Sequence, residues 1–294
     1  MQVLDLRTIL RAAIVMAGIS ALLPSTSAAQ MSRSEPVTDS SSLGLIRSLL
    51  QKPLQHGEAY IWYLLHCGYA VKTPSKLLIF DYIRTTRDFS EIDPEQSLAT
   101  GRINPAEIKD LDVYVFVSHS HEDHYDSTIF DWQDKVDNLT YIFGWQATDD
   151  SSHHHLVGPR DSLQVDGMVI YTINCRSGVP EVACLIKTDG LTIFFQGDYK
   201  SDSMADIDYL MGKCGSVDMA FLGAHTRRWA DGSARIVRII ERLQPRVVFP
   251  MHYGGEEQTY QLFARECAGL GLPAVIQCPE KRGDRFHYQR AITP

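Results

Sequence analysis

Four candidate metal ligands, His119, His121, Asp123 and His124, fall within six residues of the stretch Ser118-His119-Ser120-His121-Glu122-Asp123-His124. They follow an apolar run at residues 113–117 that reads as a buried strand. The ligands would therefore stand on a loop at the C-terminal end of that strand, where α/β folds place their sites. His119 and His121 are two apart, so in an extended loop they point to the same side. Asp123 and His124 are adjacent and must diverge, which suits a second metal beside the first. Imidazole plus carboxylate is a ligand set for zinc or a similar first-row ion.

Two later stretches carry ligand types in a comparable setting. Asp189-Gly190 is a hairpin signal between strands predicted at 182–188 and 191–195. The second of these runs directly into Gln196-Gly197-Asp198-Tyr199, where Gly197 permits close backbone approach. Asp198 is thereby placed to reach a metal held by other loops. His252, in Met251-His252-Tyr253-Gly254-Gly255, ends a strand predicted at 246–250. His66 also stands at a strand end, a place more often taken by a structural imidazole. His153-His154-His155 lies in a polar stretch without periodicity and reads as an exposed loop.

The elements that must position these groups can be read in order. Strands at 58–67, 70–72 and 77–80 form an antiparallel start to a sheet and end at Asp81. Residues 82–103 are irregular and charged and overhang the site. Asn104-Pro105-Ala106-Glu107 has the cap, the proline and the acidic residue of a helix start. A helix over 126–136 and a strand over 139–143 follow the histidine cluster. Further strands fall at 168–173, 217–222 and 274–276, and helices at 205–211, 233–243 (capped by Ser233) and 256–270.

The chain is ordinary in composition, 44% hydrophobic and 22% charged, and long enough to bury a full core. Its first 29 residues differ: Arg7 and Arg11 precede an apolar stretch, which ends in Pro24 and small residues up to Ala29. This is the layout of a secretory signal peptide, too short for a comfortable membrane span. The domain plan is a leader over 1–29, a polar segment with a short helix over 30–55, and one domain over 56–294. Without Arg7, Arg11 and Asp5, the 28 basic and 36 acidic residues become 26 and 35, a net charge of −9. That balance argues against a nucleic-acid partner and leaves a small molecule as the expected substrate. Six cysteines permit disulfides in an exported protein, but their spacings match no metal motif and most sit in apolar runs, as buried thiols do.

Taken together, His119-Ser-His121-Glu-Asp123-His124, Gly197-Asp198-Tyr199 and Met251-His252-Tyr253 resemble the metallo-β-lactamase superfamily over about residues 56–278. The resemblance implies a four-layer αββα sandwich, an α/β arrangement of two mixed sheets flanked by helices, with the site along one edge. It further implies that His119 and His121 bind a first metal, that Asp123, His124 and His252 bind a second, and that Asp198 bridges the two. Zinc is the expected ion, with iron or manganese as alternatives. The implied activity is hydrolysis of an ester, lactone or phosphodiester by a metal-bound hydroxide, with Asp123 and Asp198 as the catalytic carboxylates. The bridging Asp198 resembles the lactonase, phosphodiesterase and thioesterase branches more than the true β-lactamases. In one respect the chain departs from the family, which supplies a further histidine to the first metal. Arg176 aligns at that place, and a guanidinium stays protonated and cannot ligate. Cys175, His225 or the triple histidine could substitute, or the first site is weak. A catalytically weakened metal- or ligand-binding protein is therefore the second reading.

The exported protein is expected to begin at Gln30. N-terminal sequencing checks this, and a retained Met1 in a membrane fraction would mean an anchor.

Overall fold

Burial with a period of two builds the first sheet. In strand β2, Glu58–Leu65, the side chains of Ala59, Ile61 and Tyr63 enter one apolar cluster, whereas Tyr60, Trp62 and Leu64 enter another. The same division holds in β4, Leu77–Phe80, and in β5, Asp112–Val117. This sheet is thus covered on both faces, which is why its strands read as nearly continuous apolar runs.

The structure is a computed structural model that describes residues 30–33, 42–84, 96–147, 153–176, 178–224 and 230–291. The expected leader, residues 85–95 of the charged segment, and His225 lie outside the described residues. The described strands form two mixed sheets. In the first, β1 (Gln30–Arg33), β15 (Arg285–Gln289), β2, β3 (Gly68–Lys72) and β4 are antiparallel neighbours, and β4, β5, β6 (Asn138–Phe143) and β7 (His154–Leu156) run parallel. In the second, β8 (Ser162–Val165), β9 (Met168–Asn174), β10 (Val182–Thr188) and β11 (Leu191–Phe195) are antiparallel. The parallel strands β12 (Met219–Gly223), β13 (Val247–Met251) and β14 (Val275–Ile276) continue from β11.

Aromatic side chains fill the space between the sheets. Phe80 stacks on Phe195 with ring centroids 4.9 Å apart, and Tyr69 meets Phe221 at 4.7 Å. Helix α1, Ser42–Gln51, covers the outside of the first sheet with Ile46 and Leu50. On the second sheet lie α2 (Ala205–Met211), α3 (Ala230–Leu243) and α4 (Gln258–Gly269). Ile236, Ile239, Ile240 and Leu243 give α3 the buried stripe that its sequence spacing requires. The architecture is the two mixed sheets with flanking helices that the resemblance implies.

Local departures have physical reasons. The helix expected to start at Asn104 does not form: residues 105–110 are turns and bends. The Glu107 carboxylate accepts from Ser97 Oγ at 2.6 Å and from Leu98 N at 3.0 Å, capping the single 3-10 turn Leu98–Thr100 instead. The helix expected over 126–136 is a 3-10 helix, Ser127–Trp132, and Tyr141 Oη donates to the Ile129 carbonyl at 2.7 Å. Helix α3 starts at Ala230, so Ser233 lies within it and is not its cap. Gln30–Arg33, expected to be a loose segment, adds an edge strand to β15. His154 and His155 belong to β7, not to a loop, and the His154 ring packs on Tyr141 at 4.9 Å.

The two sheets are also tied by charge. Asp218 is fully buried before β12, and its carboxylate accepts from Thr192 N and Tyr288 Oη at 2.8 and 2.7 Å. Arg290, just past β15, adds two further hydrogen bonds. Asp218→Ala strands these donors and is expected to cost roughly 3 kcal/mol. A urea midpoint unchanged by that substitution would show that the tie is dispensable.

Candidate metal centre

The topology gathers the chemistry at one edge. Asp81 follows β4, the histidine loop follows β5, Asp198 follows β11 and His252 follows β13, all at the C-terminal ends of parallel strands. Glu181 immediately precedes β10, and the turn His66-Cys67 joins β2 to β3 at the same end. Three of these positions hold left-handed backbone without being glycine: His66 at φ 53°, Asp81 at 38° and His252 at 79°. Such conformations persist where the surroundings over-determine them, and they concentrate at working sites.

The histidines are aimed from behind. His124 is fully buried, and its Nδ1 lies 2.6 Å from Asp81 Oδ2. Asp81 also accepts from Ser118 N and Ser118 Oγ, both at 2.8 Å, so the loop and the ring are fixed by one carboxylate. His119 is likewise buried, with Nδ1 2.9 Å from Ser118 Oγ and 3.2 Å from Glu181 Oε1, and Nε2 2.9 Å from His121 Nδ1. Glu181 Oε1 also accepts from Asp198 N at 2.5 Å. A Cβ at Gly197 would come within 2.8 Å of the same oxygen, so this approach needs glycine. Buried carboxylates behind imidazoles are what orient metal-ligating histidines.

The front of each ring faces a shared space. Asp198 Oδ1 lies 2.8 Å from His252 Nε2 and 3.4 Å from His124 Nε2. Asp123 is half-exposed, with Oδ2 3.8 Å from His124 Nε2 and 3.5 Å from His66 Nε2. Two clusters result, His119–His121–Asp198 and Cys67–His124–His252, with the ligand atoms of each within 4.8 Å of one another. Nitrogens bound tetrahedrally to one zinc stand about 3.4 Å apart, so the spacing fits an ion.

A family model for the beta-lactamase superfamily domain matches residues 60–252, from within β2 to the histidine after β13. The chain belongs to the beta-lactamase superfamily. No curated protein sequence matches it. The structure is similar to Igni18, a metallo hydrolase from the hyperthermophilic archaeon Ignicoccus hospitalis. The TM-score is 0.56 at 15% identity, over 78% of this chain and 98% of that one. It is also similar to the diiron beta-hydroxylase CmlA of Streptomyces venezuelae, with TM-score 0.54 and 12% identity over 82% of this chain and 55% of that one. An isothiocyanate hydrolase from Delia radicum gut bacteria gives TM-score 0.53 and 13% identity, over 79% of this chain and all (100%) of that one. At these identities the likeness is one of fold, and the named reactions include both hydrolysis and hydroxylation.

On this superfamily scaffold the structure brings together His119, His121, Asp123, His124, Asp198 and His252. It does not bring in Arg176 or Cys175. The Arg176 guanidinium is 62% exposed and stands 3.8 Å from Asp206, whereas the Cys175 thiol faces the Gln196 carbonyl at 3.6 Å. The triple histidine lies at the far edge of the first sheet, beside β6. Sequence reasoning missed Cys67, and it named no outer partner for any ring. Asp81 and Glu181 are those partners, and their only signal was an acidic residue bordering an apolar strand.

The clustered charges shift one another. Burial alone would lower His252, but Cys67 and Asp198 outweigh it and raise the imidazole to about 10. His66 rises to about 9, with burial overruled by Cys67 and Asp123. Asp198, which burial would push up, is held well below the usual carboxylate range by His124 and His252. Imidazoles whose pKa is raised above neutrality hold protons at pH 7, and an ion must displace them. Metal affinity should therefore rise as pH is raised towards 10, and zinc binding at pH 7 should release about one proton or more per ion. Calorimetry in buffers of different ionisation heat reads that number, and zero release would contradict the charge assignment. Glu181→Gln, which acts through His119, should weaken the first site about 10–100-fold while leaving the second. Competition with a chromophoric chelator checks it, and equal losses at both sites would count against the assignment.

Proposed function

We propose that the protein is an exported metal-dependent hydrolase acting on an ester, lactone or phosphodiester of a small molecule. The observation that carries this reading is the pair of histidine clusters joined by Asp198, which belongs to the first and stands 2.8 and 3.4 Å from His252 and His124 of the second, with a buried carboxylate behind each. Bound divalent ions would supply Lewis acidity and an acidified water at neutral pH. The chain's own residues do the rest. Asp81 and Glu181 hold His124 and His119 with their outer nitrogens turned towards the shared space. Asp198, ionised and 2.9 Å from Lys200 Nζ, stands between the clusters and sets their separation. Asp123, kept ionised chiefly by His66, faces solvent at the mouth, where substrate would enter. A carboxylate held ionised in this way does not serve as a proton donor.

Export rests on the order of positive, apolar and small residues before Gln30, at which β1 begins. Among the described residues no helix is long and apolar enough to cross a membrane.

A second reading is favoured by one feature. The first cluster holds two imidazoles among the described residues, fewer than the family pattern implies, so the site could bind a single ion without turnover. Metal analysis combined with a panel of ester, lactone and phosphodiester substrates separates the two. The hydrolase reading expects turnover, its loss on chelation and its return with zinc. Asp198→Ala should lower kcat/KM at least about 100-fold, since even outer-shell changes can cost that much. A metal-loaded protein inert across the panel would favour the binding reading.

A further inference from the structure

The turn between β2 and β3 places a sulfur in the metal centre. Cys67 Sγ is fully buried and lies 3.8 Å from His124 Nε2, in a cluster that also contains His252. A thiolate and an imidazole sharing one tetrahedral zinc, at about 2.3 and 2.1 Å, would stand about 3.6 Å apart. We propose that Cys67 is a thiolate ligand of the second metal, giving that ion a sulfur, nitrogen and oxygen donor set selective for zinc. This rests on the metal-hydrolase reading of the same site.

The turn is built to hold that position. The ladder between β2 and β3 shifts register between Tyr63 and Leu65, and both Leu65 and His66 take positive φ. His66 is held at three points: its N donates to Tyr63 Oη at 2.9 Å, its carbonyl accepts from His252 N at 3.3 Å, and its Nδ1 lies 3.2 Å from Gly254 N. A Cβ on Gly254 would come within 2.8 Å of His66 N, so the two loops meet as closely as backbones can. The segment that carries His252 therefore fixes where Cys67 points. The other cysteine near the edge, Cys175, faces the Gln196 carbonyl and is not in either cluster. A thiolate among imidazoles suits zinc and discriminates against manganese, which prefers oxygen. On binding, the proton held between the thiolate and its neighbouring imidazoles leaves to the buffer, and a sulfur lone pair forms the bond to the metal. No oxidation state changes.

Cobalt(II) reports the bond directly. Metal-free full-length protein titrated with cobalt should develop a near-ultraviolet sulfur-to-cobalt charge-transfer band along with visible d–d absorption. The band should vanish in Cys67→Ser and persist in Cys175→Ser, and Cys67→Ser should weaken zinc binding at the tighter site at least about 10-fold. Visible absorption without the charge-transfer band in the unmodified protein would overturn the thiolate ligand and leave the hydrolase reading intact. No binding of cobalt or zinc would overturn both. Should Cys67→Ser fail to fold, X-ray absorption at the zinc edge of the unmodified protein decides. One sulfur at about 2.3 Å supports the proposal, and a shell of nitrogen and oxygen alone refutes it.

Discussion

A carboxylate shut away from water needs donors to face, and Asp81 finds all of them in the histidine loop. Ser118 N, Ser118 Oγ and His124 Nδ1 converge on its two oxygens at 2.6–2.8 Å. Leaving any of these buried groups unpaired would cost more than the bond itself contributes, so the loop has one low-energy arrangement. Burial raises Asp81, and the His124 charge opposes that rise, which keeps the pair mutually dependent. Glu181 repeats the device behind His119 and extends it, through Asp198 N, to the carboxylate that joins the two clusters. The geometry of the whole centre follows from these two acids.

The sheets exist, in this sense, to bring those acids to the edge dry. Parallel strands β4 and β5 deliver Asp81 and the histidine loop side by side, while β11 and β13 deliver Asp198 and His252 from the opposite sheet. Stacked rings of Phe80, Phe195, Phe221 and Phe249 lie between, and Tyr69 Oη donates to the Pro250 carbonyl at 2.7 Å just beneath His252. Close packing of such large rings makes the distance between the sheets, and hence between the clusters, hard to change.

Much of this was legible in the residues because the ligands cluster in sequence or end apolar strands. The spacing of His119, His121, Asp123 and His124 and the strand contexts of Asp198 and His252 are local signals. The strand and helix pattern followed from periodicity wherever burial was one-sided or complete. What escaped depended on contacts across the chain. Cys67 and His124 are 57 positions apart, and nothing local distinguishes Cys67 from a core thiol. Glu107 reaches back to Ser97 and Leu98, and Tyr141 Oη donates to the Ile129 carbonyl, contacts that no local pattern announces. Arg176 aligned with a ligand position, yet its positive φ of 58° and its partner Asp206 turn it outward.

Two clusters joined by Asp198, each with a buried carboxylate behind it, are the proposed seats of the metal ions. Anomalous scattering at the zinc edge from crystals of the metal-loaded protein tests this most directly. A strong peak between Cys67, His124, His252 and Asp198, with a weaker one between His119, His121 and Asp198, is the predicted result. Peaks elsewhere, such as at His153–His155, with none at either cluster, would contradict it.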